Sequence, residues 1–318
     1  MGAIHIEGLT KTFRSGWPGR PPIAGLAGLS LSVGQGEIYG FLGPNGAGKT
    51  TTIKIMMGLM RASSGTVEIL GCPVGDRQVR KRIGFLPESP YFYDYLTAEE
   101  FLGFYGHLAG LGKSELGGKI THLLETVGLT EARTRQLRKF SKGMLQRVGL
   151  AQALIHDPEL VILDEPMSGL DPLGRKQVRD LILSLKEQGK TVFFSTHIIP
   201  DVEMICDRVG ILVKGKLLAE GRVEELMSRG HTQSVEIVCE GVKADQLPAI
   251  TSVATRVLQR GSHCLIALPG HDRVEEILAV IREHKGTLVS VTPQKGSLEE
   301  LFLDQANNLR GPHGGGET

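Results

Sequence analysis

No apolar run in these 318 residues approaches the length of about 18 that crosses a bilayer. The opening MGAIHIEGLT has neither the charged n-region nor the apolar core of a secretion signal. Ile6 also stands where N-myristoylation needs Ser or Thr. If a membrane matters to this protein, it is expected to act through a partner. Cysteine is scarce: Cys72, Cys206, Cys239 and Cys264 are scattered, with no CxxC or metal-like spacing. They read as reduced, mostly structural thiols of a cytoplasmic protein. Charge of one sign is lacking as well, with 36 Lys+Arg against 35 Asp+Glu, so the balance implies no nucleic-acid partner.

With 41% hydrophobic and 22% charged residues, the composition is that of a soluble globular protein, and the length suggests two domains. The chain is organised around GPNGAGKT at 43–50, of the form G-x-x-x-x-G-K-[ST]. In such a loop Gly43, Gly46 and Gly48 let successive N–H groups face one concavity, an anion nest, which Pro44, Asn45 and Ala47 complete. Lys49 is placed to reach between β- and γ-phosphates, and the Thr50 hydroxyl to ligate Mg²⁺. EIYGFL (37–42) ahead reads as a buried strand. TTIKIMMGLM (51–60) behind reads as a helix whose N-terminus, beginning at Thr51, faces the phosphates.

Along the chain, AIHIEGLTKTF (3–13) and LAGLSLSV (26–33) alternate as strands, separated by a Gly/Pro-rich loop at 14–25. Turn, strand and turn occupy 63–74, and a helix end with a short strand follows at 79–88. Residues 97–156 turn helical, beginning at Thr97 with Glu100 three residues later, a capping box. The sheet resumes at ELVILDEP (159–166), a continuous apolar run as in a buried parallel strand. A helix (174–189), the strand TVFFSTH (191–197), a helix (201–206) and a hairpin turning at Lys214-Gly215 complete this part. From about residue 231 the order strand–helix–strand–strand–helix–strand is that of a ferredoxin-like sandwich. The expected domains are 1–229, with a helical subdomain at about 94–158, and 230–306, followed by a disordered tail at 307–318.

A second half of a phosphoryl-transfer site is present. Asp164 ends its strand where it can hold the Mg²⁺ also bound by Thr50. Glu165 follows, placed to orient and deprotonate an attacking water. In SKGMLQ (141–146), Ser141 is a good N-cap, and Gly143 permits close approach to the helix that follows. That is either an ordinary capped helix start or a second anion-binding helix end without a lysine of its own.

Taken in order, these stretches resemble the nucleotide-binding subunit of ATP-binding cassette (ABC) proteins. The likeness runs over about 3–228 through the phosphate loop, Glu88, the 140–146 signature, the acid pair 164–165, the loop 168–172 and His197. It implies an α/β P-loop ATPase core with an antiparallel β subdomain and a helical subdomain, here joined to a small C-terminal α+β unit. It implies Mg²⁺-dependent ATP hydrolysis in a dimer that sandwiches two ATP molecules head to tail. Each phosphate loop would then be completed by the partner's Ser141 and Gly143, with Gln146 in the same signature. His197 would sense the γ-phosphate, and Asp171 would link the two sites. Phe13 stands where the family puts an aromatic under the adenine; a buried core Phe is the competing reading.

Glu88 replaces the usual Gln, adding negative charge where the lytic water or Mg²⁺ would be held. Lys142 and Met144-Leu145 in the signature are similar to the efflux or polymer-export branch, whose membrane subunits are separate polypeptides. GSLEELFLDQ (296–305) resembles the closing helix of drug-efflux ATPase subunits; the unit carrying it is expected to brace the dimer. PESPYFYDYLT (87–97) masses Tyr91, Phe92, Tyr93 and Tyr95, an expected contact surface for an integral membrane permease. The implied assembly is a homodimer, or a heterodimer with a second ABC subunit, on the inner face of the cell membrane, with no nucleic acid. The alternative is a soluble ABC ATPase acting on ribosomes or nucleic acid.

Overall fold

Side-chain alternation at period two builds the first unit from both faces of one sheet. The computed structural model describes residues 2–13, 22–229, 234–242, 253–270, 272–294 and 297–299. The chain divides into two compact units, Met1–Val223 and Glu224–Thr318. The expected helices at 244–250 and, beyond Glu299, at 297–308 lie outside the described residues, as do the tail and most of the Gly/Pro loop.

In the first unit the central sheet has six strands: β3 (Ile38–Leu42), β6 (Ile83–Leu86), β7 (Leu160–Asp164), β8 (Thr191–Thr196), β9 (Arg208–Val213) and β10 (Lys216–Arg222). Their order is β10-β9-β3-β8-β7-β6. All neighbours are parallel except β10, which returns antiparallel on β9. β3, β7 and β8 are buried along their whole length, hence the apolar runs IYGFL, LVIL and VFF within them.

Ile38, Val161, Leu163, Val192 and Phe194 face one core, shared with the helices α3 (Ala98–Leu108), α4 (Lys113–Thr126), α5 (Lys142–Leu154) and α6 (Pro172–Glu187). Tyr39, Phe41, Leu160, Ile162 and Phe193 face the other core. That second core is shared with α1 (Lys49–Met56) and the sheet β2-β1-β4-β5: β1 (Ile4–Phe13), β2 (Ile23–Val33), β4 (Ser64–Ile69) and β5 (Cys72–Pro73). Tyr39 stacks on Phe193 with centroids 5.6 Å apart, locking β3 against β8.

β2 corrects one sequence expectation. The strand begins at Ile23, which pairs with Phe13, so 23–25 are strand and not loop. The ladder extends because β1 offers partners to its last residue, overriding the weak strand preference of Gly25.

The Thr97–Glu100 capping box forms at the start of α3, with the Thr97 N–H donating to Glu100 Oε2 at 2.8 Å. The hairpin turns at Lys214 and Gly215 with φ of 48° and 77°, a left-handed pair matching the strand twist. Between the main strands run α2 (Arg77–Arg80) and α7 (Ile199–Ile205).

The second unit holds α8 (Val223–Arg229) from its second residue, β11 (Ser234–Glu240), β12 (Arg256–Arg260), β13 (His263–Leu268), α9 (Val274–Glu283) and β14 (Thr287–Gln294). Its antiparallel sheet has the order β12-β13-β11-β14, the ferredoxin-like arrangement expected from the element sequence. Val235, Ile237, Cys264 and Ile266 pack on Ile277 and Ile281 of α9.

Candidate functional site

The site lies where β3, β7 and β8 end, the edge at which parallel α/β sheets bind ligands. After Leu42 the chain bends back on itself. Gly43 N–H donates to Thr196 O at 3.1 Å, and Ala47 N–H to Pro44 O at 3.1 Å. A side chain at Gly43 would meet the Leu212 carbonyl oxygen at 2.3 Å, so only glycine fits. Gly48, at φ 112°, opens α1 with no side-chain cap and no acid in the first turn. That helix start has its N–H groups and dipole available to an anion.

Lys49 is buried. Its Nζ donates to Gly43 O at 2.6 Å and Pro44 O at 3.3 Å, and lies 3.1 Å from Glu165 Oε1. The contact with Glu165 is an ion pair only, since Oε1 has no hydrogen-bond partner. Glu165 Oε2 is 2.9 Å from Nδ1 of His197. The backbone of Glu165 sits at φ 51°, a left-handed conformation costly for a residue with a side chain and held only by its surroundings.

Thr50 Oγ1 donates to Asp164 Oδ1 at 3.3 Å, and the Ser195 hydroxyl donates to the same oxygen at 2.6 Å. Burial pushes the Asp164 carboxyl above its ordinary range; Glu88 and Glu165 push the same way, against the Ser195 and Thr50 hydrogen bonds.

A cleft of about 340 Å³ fronts these groups. It is lined by Phe13, Ile23, Ala24 and Gly25, by Asn45, Gly46, Gly48, Lys49, Thr50 and Thr51, and by Glu88 and Glu165. Phe13 is 37% exposed there and covered on one side by the Lys11 ammonium, so it is no core residue.

Ser141, Gly143 and Asp171 do not line this cleft. Ser141 is exposed and caps α5, accepting from Met144 N–H at 3.3 Å. Asp171 caps α6, accepting from Gly174 N–H at 2.7 Å. Buried Gln146 donates to Pro166 O at 3.0 Å, tying the signature helix to the loop after the acid pair.

Two features escaped the sequence reading. One is the wall Ile23–Gly25. The other is Ser195, one of three hydroxyls in the buried strand TVFFST, with no local signal to set it apart from Thr191 and Thr196.

A glycine-rich anion loop between strand and helix, with an acid pair two strands away, defines a P-loop nucleotide hydrolase. A family model described as ABC transporter matches residues 26–168. An uncharacterised ABC transporter ATP-binding protein of Synechocystis sp. is 47% identical over 93% of this chain and 82% of its own length. The linearmycin resistance ATP-binding protein LnrL of Bacillus subtilis is 36% identical over 88% of this chain and 92% of its own. Among solved structures, a dimeric ATP-binding cassette in a post-hydrolysis state, bound to ADP and Pi, aligns with 69% of this chain and 98% of its own. Its TM-score is 0.63 at 26% identity. The chain therefore belongs to the ABC transporter ATP-binding proteins, a family of ATPase subunits with relatives in resistance systems.

Proposed function

We propose that this subunit works as half of an ATP-driven dimer, with itself or a second cassette chain, whose closure powers a separate membrane permease of the efflux type. The observation that carries this reading is one-sidedness. The cleft is furnished by the phosphate loop and acid pair, while the capped, acid-free start of α5 lies outside it with Ser141 exposed. A helix end with no acid in its first turn and outside its own cleft suits a nucleotide delivered by another copy.

In this reading Phe13 stacks on the adenine, 43–51 hold the phosphates, and Lys49 balances the charge between them. Glu165 deprotonates the water, with His197 holding the carboxylate in place beside the γ-phosphate and Glu88 in the same cleft. The partner's loop adds Ser141 and Gly143 to the γ-phosphate; Gln146 joins that loop to the stretch after the acid pair, and Asp171 links the two sites across the dimer. The oxygen-only set Thr50, Asp164 and Glu88 fits Mg²⁺, which takes few carboxylates and completes its shell with water and phosphate. Among the described residues there is no cluster of three His, Cys, Asp or Glu that would demand another metal. When bound, Mg²⁺ supplies charge neutralisation on the phosphates.

Force transfer is assigned to 87–97. Tyr91 and Tyr95 are 82% and 61% exposed, whereas Phe92 and Tyr93 turn inward onto the helical core. The efflux direction draws on the resistance function named for the Bacillus subtilis relative. Among the described residues no helix is long and apolar enough to cross a membrane, so the subunit would sit on the inner face through its permease. The C-terminal unit (230–306) would brace the dimer.

ATP drives closure only through tighter binding to the closed state. Glu165→Gln, which keeps the nucleotide without cleaving it, should double in mass by light scattering with ATP and Mg²⁺. A variant that stays monomeric at saturating ATP overturns the sandwich.

A further inference from the structure

Register places Ser195 between the two halves of the site. On β8 it pairs with Phe41 of the phosphate-loop strand on one side and with Asp164 on the other. Its neighbours Val192, Phe193 and Phe194 are wholly buried, and so is Ser195 itself. A hydroxyl in such a strand is costly to bury unless it is hydrogen-bonded. Here both functions of the hydroxyl are used. It donates to Asp164 Oδ1 at 2.6 Å and accepts from the Glu165 N–H at 2.9 Å. One side chain thus touches the carboxylate of the first acid and the backbone of the second. That backbone is the one at φ 51°, where the peptide departs from the strand and needs an outside partner to hold it. Asp164 Oδ1 receives Thr50 as well, so Thr50, Asp164, Ser195 and Glu165 form one continuous hydrogen-bonded series.

We propose that Ser195 is the positioning residue of the acid pair, fixing the Asp164 carboxylate for the divalent cation and the Glu165 peptide for the attacking water. This rests on the ATPase roles given above to Asp164 and Glu165. Ser195 does not line the cleft, and its effect passes through its two neighbours. Outer groups that orient metal-binding carboxylates typically change metal affinity or turnover by about 10- to 100-fold.

The test uses the full chain and three substitutions. Ser195→Ala removes the hydroxyl, Ser195→Cys keeps roughly the volume with a weak donor and acceptor, and Ser195→Thr keeps the hydroxyl with an added methyl. Two quantities are read: ATPase kcat against KM, and Mn²⁺ affinity by electron paramagnetic resonance with a non-hydrolysable ATP analogue. The expected result is a fall in kcat and Mn²⁺ affinity of about 10- to 100-fold in Ala and Cys, with KM for ATP within about twofold and Thr near the parent. If Ser195 merely fills space, the order reverses: Cys behaves as the parent and Thr is worst. That order, or an Ala variant within about twofold of the parent in both readouts, overturns the proposal. A parent protein that binds neither ATP analogue nor Mn²⁺ instead overturns the ATPase roles beneath it.

Discussion

Lys49 and Glu165 form a buried ion pair, with Nζ 3.1 Å from Oε1 and side chains 6% and 7% exposed. The lysine proposed for phosphate and the acid proposed for water hold each other. A triphosphate between them would compete for the ammonium and leave the carboxylate to His197.

Removing one member of a buried pair strands the other. Lys49→Met should abolish ATP binding and lower stability by about 3 kcal/mol, read by urea unfolding without nucleotide. Adding Glu165→Gln should recover at least half of that loss, because no charge is then stranded. Additive losses in the double variant would show that the pair is not coupled.

Phe13 packs into no core, so Phe13→Ala should leave the thermal midpoint unchanged. Its ATP affinity should fall by about 1–3 kcal/mol, the scale of one base stacked on an aromatic ring. Isothermal titration checks this, and Phe13→Trp should bind at least as tightly as the parent. Equal affinity in Ala and parent would remove Phe13 from the adenine site.

Acid should weaken the tie between Glu99 of α3 and Arg133. The Arg133 hydrogen bond holds the Glu99 carboxyl below its usual 4.5. A lowered carboxyl pKa stabilises the fold fully above 4.5, and that contribution fades as pH falls through the folded value. The side chains are 39% and 34% exposed, so solvent screens the pair. Arg133→Ala should therefore lower the midpoint at pH 7 by only about 1–2 °C, and the gap from the parent should narrow as pH falls below 4.5. A gap that widens on acidification contradicts the sign.

The 87–97 stretch separates surface from support. Tyr91→Ser with Tyr95→Ser should leave stability and basal ATPase activity intact while weakening co-purification with the permease by about tenfold. Phe92→Ala should do the reverse, costing about 2 kcal/mol, because Phe92 packs on Phe101 with centroids 5.4 Å apart. Permease recovery unchanged by the tyrosine pair would move the contact elsewhere.

Sequence alone determined the elements of the site. The loop 43–50, the acids at 164–165, the cap at Ser141 and the hairpin at Lys214-Gly215 are local devices, written in residues that neighbour each other. Glycine at a forced turn and a hydroxyl at a helix start act within a few residues, which is why they could be read directly. Tertiary structure decided what local signals cannot carry: that β8 enters between β3 and β7, that β2 reaches back to Ile23, and that Phe13 faces a cleft. Parallel strands pair through long crossovers, so which strand sits beside which is set by how both faces fill with side chains. Only that ordering brings Ser195 against Asp164 and Glu165, thirty-one and thirty residues away along the chain.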